Sequence, residues 1–173
     1  STGHSTRLDL TEIKEEIMNE LSSHLNSSGE ARMVDISEKA ITVRVAKAEC
    51  KVVVSPEVIS LIKNDELPKG DALSVARIAG IQAAKKTPDL IPLAHPIALH
   101  GIDISMDVQE NGVLIQAEVR TADRTGVEME ALAVVTVAGL ALIDMVKGKD
   151  PRASLTDCVV TFKSGGKSGV WNR

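Results

Sequence analysis

The sequence predicts an α+β fold, an antiparallel sheet with helices packed on one of its faces. Three observations carry that prediction. Helical and extended patterns follow one another in the order strand, helices, strand, strand, helix, strand. One stretch, Thr125 to Lys147 (TGVEMEALAVVTVAGLALIDMVK), is apolar enough to be a central helix. Two alternating stretches meet at Asn111-Gly112, a hairpin signal.

Residues 1–32 read as an extension to the domain that fills 33–173. Leu10, Ile13, Ile17, Leu21 and Leu25 recur at helical spacing, so one amphipathic helix is expected there. Asn26-Ser27-Ser28-Gly29 then reads as a linker. The STGHST start lacks an initiator methionine and suggests processing or an added segment.

Ile41 to Val54 alternates and then closes on three valines, as a strand would. Ser55-Pro56-Glu57 starts a short helix, with Ser as the cap and Pro in the first helical position, ending near Asn64. Asp71 can cap a second helix, Ala72 to Lys86, which Thr87-Pro88 stops. Asp89 to Pro96 (DLIPLAHP) is apolar but too rich in proline for regular structure, so a buried, irregular lining segment is expected. Ile102 to Val108 and Val113 to Arg120 form the hairpin, and Leu155 to Lys163 the last strand. The resulting βαββαβ order, with one helix doubled, is that of a ferredoxin-like fold. Such a sheet leaves one face open, and subunits should pair there if that face is apolar.

Composition narrows the function. The 173 residues include one Trp, one Phe and no Tyr, so the core must be aliphatic. A net charge of −4 and the lack of a stacking platform oppose nucleic-acid binding. Cys50 and Cys158 are 108 positions apart and suggest neither a disulfide framework nor metal spacing. No secretory leader pattern is visible, which makes the cytoplasm the expectation. The uncharged run Ala131 to Ile143 is 13 residues, short of the ~20 that cross a bilayer.

The central helix poses the chemical question. Thr125 and Glu128 have capping-box spacing, which would start the helix at Thr125 and give Glu128 a structural role. Glu130 has no such explanation. Asp144 and Lys147, at i and i+3, can pair on one face, as a structural ion pair or as an acid/base pair. Charges in a helix that is apolar all round are either paired or functional. Glu130 and Asp144 lie on nearly the same side of the helix but ~21 Å apart along it. One unbroken helix cannot bring both to one small substrate, so a site shared across a two-fold is the preferred reading. Gly139 could bend the helix but would hardly close that gap.

Ser164-Gly165-Gly166-Lys167-Ser168 is not a phosphate loop, because Thr161 stands where that motif needs Gly and no helix follows. It reads as a Gly-rich tail whose lysines meet an anionic ligand, or as a plain solvated tail. His95, mounted between Ala94 and Pro96, is either a satisfied histidine or a functional one. No second His or Cys lies at zinc spacing, and His100 falls in a strand without a role.

Seven ordered motifs carry a resemblance: MVDISEK (33–39), KGD (69–71), ARIAG (76–80), LIPLAHP (90–96), TGVEMEAL (125–132), DMVK (144–147) and KSGGKSG (163–169). Together they resemble the MoaC family of molybdenum cofactor biosynthesis proteins over about residues 22 to 171. The resemblance implies a cyclic pyranopterin monophosphate synthase. Such an enzyme converts 3′,8-cyclo-7,8-dihydroguanosine triphosphate into cyclic pyranopterin monophosphate with release of pyrophosphate. It also implies a homohexamer, a trimer of dimers with active sites between subunits. By position, Asp144 and Lys147 match the family's acid/base pair, and Lys69, His95 and Glu128 match further catalytic residues. Leu93, Ala94, His95, Met129, Glu130 and Lys163 match substrate-binding positions, with Arg44 and Lys167 beside them. The sequence asks for no metal site or cofactor of its own, and a triphosphate substrate can carry magnesium.

The chain departs from the family at Ala94, where Cys is usual, at Ile143 and Val146, where Tyr and Cys are usual, and at Gly148-Lys149-Asp150-Pro151 after the helix. The competing reading is a ferredoxin-like ligand-binding or regulatory module without chemistry. The synthase requires Asp144, Lys147, Lys69 and His95 to surround one cleft, some from a second chain.

Overall fold

The computed structural model describes Leu10, Thr11, Lys14, Met18 and residues 25–173. Two compact units divide between Ile36 and Ser37. In the first, Ile13, Ile17 and Leu21, on which the amphipathic helix rests, lie outside the described residues. Leu25 is not helical but bridges to Ala31. The expected linker between them is a tight turn in which the Asn26 carboxamide oxygen accepts the amides of Ser28 and Glu30 at 2.9 Å.

The second unit contains β1 (Thr42–Val53), α1 (Pro56–Lys63), α2 (Ala72–Lys85), α3 (Thr87–Leu90), β2 (Gly101–Gln109), β3 (Gly112–Asp123), α4 (Glu128–Val146), β4 (Ser154–Ser164) and β5 (Trp171–Asn172). The sheet runs β2-β3-β1-β4-β5 with every neighbouring pair antiparallel. This is the expected ferredoxin-like arrangement with a short fifth strand added. Two helix starts form where the sequence places them. The Ser55 hydroxyl accepts the Val58 amide at 3.3 Å, and the Asp71 carboxylate accepts the Ser74 amide at 3.1 Å. The β2–β3 hairpin turns on Glu110-Asn111, one residue earlier than Asn-Gly suggests. Gly112 is instead where β1 comes close: an added Cβ would run into the Val52 carbonyl.

The core is aliphatic. Ala46, Ala48, Cys50 and Val52 of β1 and Val113, Ile115, Ala117 and Val119 of β3 face α4, which covers them with Ala131, Val134, Val135, Ala138, Leu142 and Val146. Alanines on β1 let the helix settle low on the sheet. Gly139 serves the same purpose, because a Cβ there would strike Leu155, and the helix runs through it unbroken. Gly80 of α2 allows a similar approach to the Val134 carbonyl of α4.

Four expectations are corrected. The long helix begins at Glu128, not Thr125, and Val127 caps it without a side-chain bond. Nor is it buried on every face. Met129 is 43% and Leu140 54% exposed, with Ala133 and Val137 half-buried between them, because the sheet and α2 cover the other sides and none of the described residues covers this one. By length and composition α4 could cross a bilayer, yet half of it is buried in this chain. The 89–96 segment begins inside the single turn of α3 and then runs irregularly, but it is exposed rather than buried, Leu93 at 45%. Finally, the Gly-rich stretch is no free tail. It closes a hairpin in which Phe162 pairs with Asn172 and Lys163 with Trp171. The open sheet face is polar, carrying Lys47, Glu49, Asp103, Gln116, Glu118 and Arg120.

Candidate functional site

The topology sorts the predicted residues to two ends of α4. At its start lie the first residues of β1 and the last of β3 and β4, since Arg44 pairs with Thr121 and Ala46 with Lys163. At its finish lie the last residues of β1 and the first of β4, since Val53 pairs with Ser154.

At the start, Glu128 is not the partner of a capping box. Its carboxylate reaches Lys163 Nζ at 3.8 Å, across the sheet edge from a residue 35 positions later. It also fills the space beside Gly126, where any Cβ would overlap it. Gly126 is therefore the residue that lets this carboxylate lie flat against the entry to the helix. Arg44 has committed two donors to the end of β3, Nε to the Asp123 carbonyl at 3.3 Å and Nη2 to the Arg124 carbonyl at 3.5 Å. Gly165 and Gly166, at φ of +99° and +70°, leave no room for a side chain: a Cβ on Gly165 would meet the Val43 carbonyl and the stem of Arg44, and one on Gly166 would meet that guanidinium. The loop holds Lys167 exposed at its tip, on the same end as Lys163. The local cause of these glycines is left-handed backbone and contact with Arg44.

Glu130 points elsewhere. It is 3% exposed and borders a cavity of about 330 Å³ walled by Ala84, Lys85, Pro88, Pro96, Ile97 and Leu99. Its Oε2 has no hydrogen-bond partner among the described residues. Burial raises its carboxyl to about 7; its own backbone amide pulls the other way, and the Glu128 charge adds to the rise. Leu93, Ala94 and His95 belong to the irregular segment that continues into this wall, Ala94 and His95 half-buried. Their segment is fixed to the end of β3, where the Thr121 hydroxyl donates to the Ala98 carbonyl and His100 Nδ1 accepts the Ala122 amide at 3.2 Å. That bond accounts for His100. Met129, between the two glutamates, faces outward.

At the far end, Asp144 and Lys147 do pair, at 2.8 Å. Lys69 Nζ adds a second cation 3.5 Å from the same carboxylate oxygen and donates to the Asp144 carbonyl at 3.1 Å. It thus caps one of the last carbonyls of α4. A turn closed by the Gly70 amide on the Leu67 carbonyl at 3.0 Å, with Leu67 buried, aims Lys69 there. The Lys147 ammonium, then Lys69, holds the Asp144 carboxyl below its ordinary value. All three side chains are about half exposed. The Gly148–Pro151 departure is a helix stop: Asp150 accepts the Ser55 amide at 2.9 Å and the Arg152 amide at 3.0 Å.

One chain therefore holds two separate charged clusters. Arg44, Glu128, Lys163 and Lys167 gather at one end; Lys69, Asp144 and Lys147 gather at the other. The unbroken helix keeps Glu130 and Asp144 ~21 Å apart. Among the described residues no three His, Cys, Asp or Glu side chains gather as a metal site would require. The Glu128–Lys163 pair and the seating of Arg44 were missed from sequence, because each joins strands distant in the chain.

Comparison with known proteins adds the chemical context. Residues 33–166 match the MoaC family model. The chain is 55% identical to the cyclic pyranopterin monophosphate synthase of Streptomyces griseus, an alignment covering 87% of this chain and 85% of that protein. The protein of the same name from a Nocardioides species is 52% identical over 87% of this chain and 94% of its own length. Cyclic pyranopterin monophosphate synthase 2 of Mycobacterium tuberculosis is 52% identical over 87% and 90%.

Proposed function

The chain belongs to the MoaC family, and from that premise we propose that it is a cyclic pyranopterin monophosphate synthase of molybdenum cofactor biosynthesis. It takes 3′,8-cyclo-7,8-dihydroguanosine triphosphate, rearranges its ring system, closes a cyclic phosphate and releases pyrophosphate, which makes it a phosphorus–oxygen lyase. The observation that carries the mechanism is the division of the charged set between the two ends of one straight helix. A two-fold pairing of chains would set the start of one α4 against the finish of another. The uncovered apolar stripe from Met129 to Leu140 supports such pairing. The assembly we favour is the hexamer built from three dimers, working in the cytoplasm on a small-molecule substrate, with no nucleic-acid or membrane partner.

The chemistry follows from charge. A triphosphate carries several negative charges, which Lys163, Lys167, Lys69 and Arg44 can neutralise with charge-assisted hydrogen bonds. Opening a purine-derived ring and closing a phosphate ester demand proton transfers, which fall to Asp144 and Lys147. In the open chain the Lys147 and Lys69 ammonium groups weaken Asp144 as a base by holding its carboxyl below its ordinary value. Covering it with substrate and a second chain removes water, which raises a carboxyl and lowers an ammonium toward each other. His95, Leu93, Ala94, Met129 and Glu130 contribute the wall for the base. No resident cofactor is invoked, and a triphosphate can bring magnesium with it.

The test is turnover. Purified chain given the cyclised nucleotide should release one pyrophosphate for each pterin formed. Tight binding of the nucleotide without any pyrophosphate would establish the non-catalytic module instead.

A further inference from the structure

We propose that Cys50 and Cys158 form a reversible cross-strand disulfide that staples the edge strand β4 to β1. In sequence they stand 108 positions apart, which hides the fact that the sheet makes them neighbours. Glu49 pairs with Val159 and Lys51 with Thr156, so Cys50 faces both Asp157 and Cys158 across a bulge. Asp157 sits there at φ +53°, the left-handed backbone a bulge of this kind uses. Both sulfurs turn toward α4 and touch successive residues of it. The Cys50 thiol donates to the Val135 carbonyl at 3.2 Å, and Cys158 Sγ lies 3.2 Å from the Thr136 hydroxyl. The Cys158 side chain is near enough to raise the Cys50 thiol. Facing residues on antiparallel strands have Cα atoms about 4.5–5.5 Å apart, inside the ~4.4–6.8 Å that a disulfide spans.

Their settings differ in a way that orders the reaction. Cys158 is exposed on a strand whose outer edge β5 covers only at Phe162 and Lys163. Cys50 is fully buried, and burial, then the neighbouring Cys158 and Glu49, push its thiol up to about 12. With a low-molecular-weight disulfide such as glutathione disulfide as oxidant, Cys158 thiolate attacks one sulfur. The S–S bond breaks, one glutathione thiolate leaves, and a mixed disulfide forms. Cys50 then loses its proton and attacks the Cys158 sulfur, expelling the second glutathione. Two protein thiols are oxidised and one glutathione disulfide is reduced to two glutathione molecules. The second step limits the rate, because so little Cys50 is thiolate at neutral pH. The bond would lie at one of the two points where the β1–β4 ladder is irregular. The inference is independent of the active-site reading.

The experiment is intact-mass spectrometry of the full chain during incubation with glutathione disulfide, followed by thermal unfolding. The expected course is a single transient glutathione adduct that gives way to a species about 2 Da lighter than the reduced chain. The conversion speeds up as pH rises, and dithiothreitol reverses it. The oxidised chain should melt about 10 °C higher, because a loop of this length is closed in the unfolded state. Cys50→Ala, which keeps a small apolar group in the core, should stop at the adduct, and Cys158→Ser should take up none. A persistent adduct on the unsubstituted chain, disulfide-linked dimers in its place, or no addition at all would each overturn the proposal.

Discussion

At the start of α4, Glu130 is walled in by apolar residues, and burial raises its carboxyl to about 7. At the finish of the same helix, Asp144 stands in water, and the Lys147 and Lys69 ammonium groups hold its carboxyl below its ordinary value. The two carboxylates differ because of their surroundings, not their chemistry. The first environment is complete in one chain. The second is a cluster of two cations and one anion open on one side, of a kind that contributes little to stability at a surface. Three substitutions press on that contrast, from the largest expected effect downward.

Asp144→Asn should lower pyrophosphate release by about 10³-fold, in the range that loss of a positioned acid/base group produces. The melting temperature should stay essentially unmoved, because the carboxylate is exposed. A large stability loss with retained turnover would make Asp144 a structural residue.

Gly126→Ala acts at the other end. The new Cβ would push the Glu128 carboxylate off its seat, away from Lys163, while leaving the fold intact, since only the tip of a side chain must move. Turnover should fall by up to about 10²-fold, the cost of displacing a catalytic group by an ångström or so. Comparison with Glu128→Gln checks this: similar losses locate the effect in the carboxylate, and a harmless Gly126→Ala would remove Glu128 from the site.

Glu130→Gln sharpens the electrostatic half. In the unfolded chain Glu130 ionises near its ordinary 4.5, while the folded chain keeps the proton to about 7. Between these values the folded state binds more protons, so stability is greatest below the lower one and declines as pH rises through the window. That decline amounts to roughly 3 kcal/mol at most. Denaturant titrations across pH 4 to 8 should show this slope in the parent chain and lose it in Glu130→Gln. An unchanged slope would move the titration to another group.

Local chemistry made much of the fold legible. Alternation placed the strands, and Ser55 and Asp71 cap the helices that they precede. What stayed hidden depends on groups that meet only after folding. Thr125 and Glu128 have the spacing of a capping box, but Glu128 is drawn to Lys163 on a distant strand. The apolar surround of α4 is a true signal, yet hydrophobicity alone does not separate a surface buried by its own sheet from one left open at Leu140. The Gly-Gly pair suggested a mobile tail because pairing of Trp171 with Lys163 leaves no local trace. In the site, residue identities were legible and their grouping was not. The ~21 Å between Glu130 and Asp144 follows from the helix alone, whereas the exposure of Asp144 depends on where the chain ends its core.

Mixing two inactive variants tests the shared site most directly. Glu128→Gln damages the start of α4 and Asp144→Asn its finish, so each should be inactive alone. Unfolded together in equal amounts and refolded, they should recover about a quarter of the parent turnover, because random pairing across a two-fold leaves that share of sites with neither defect. If the mixture stays as inactive as its components while assembling normally, both ends serve a site within one chain and the shared-site account is wrong.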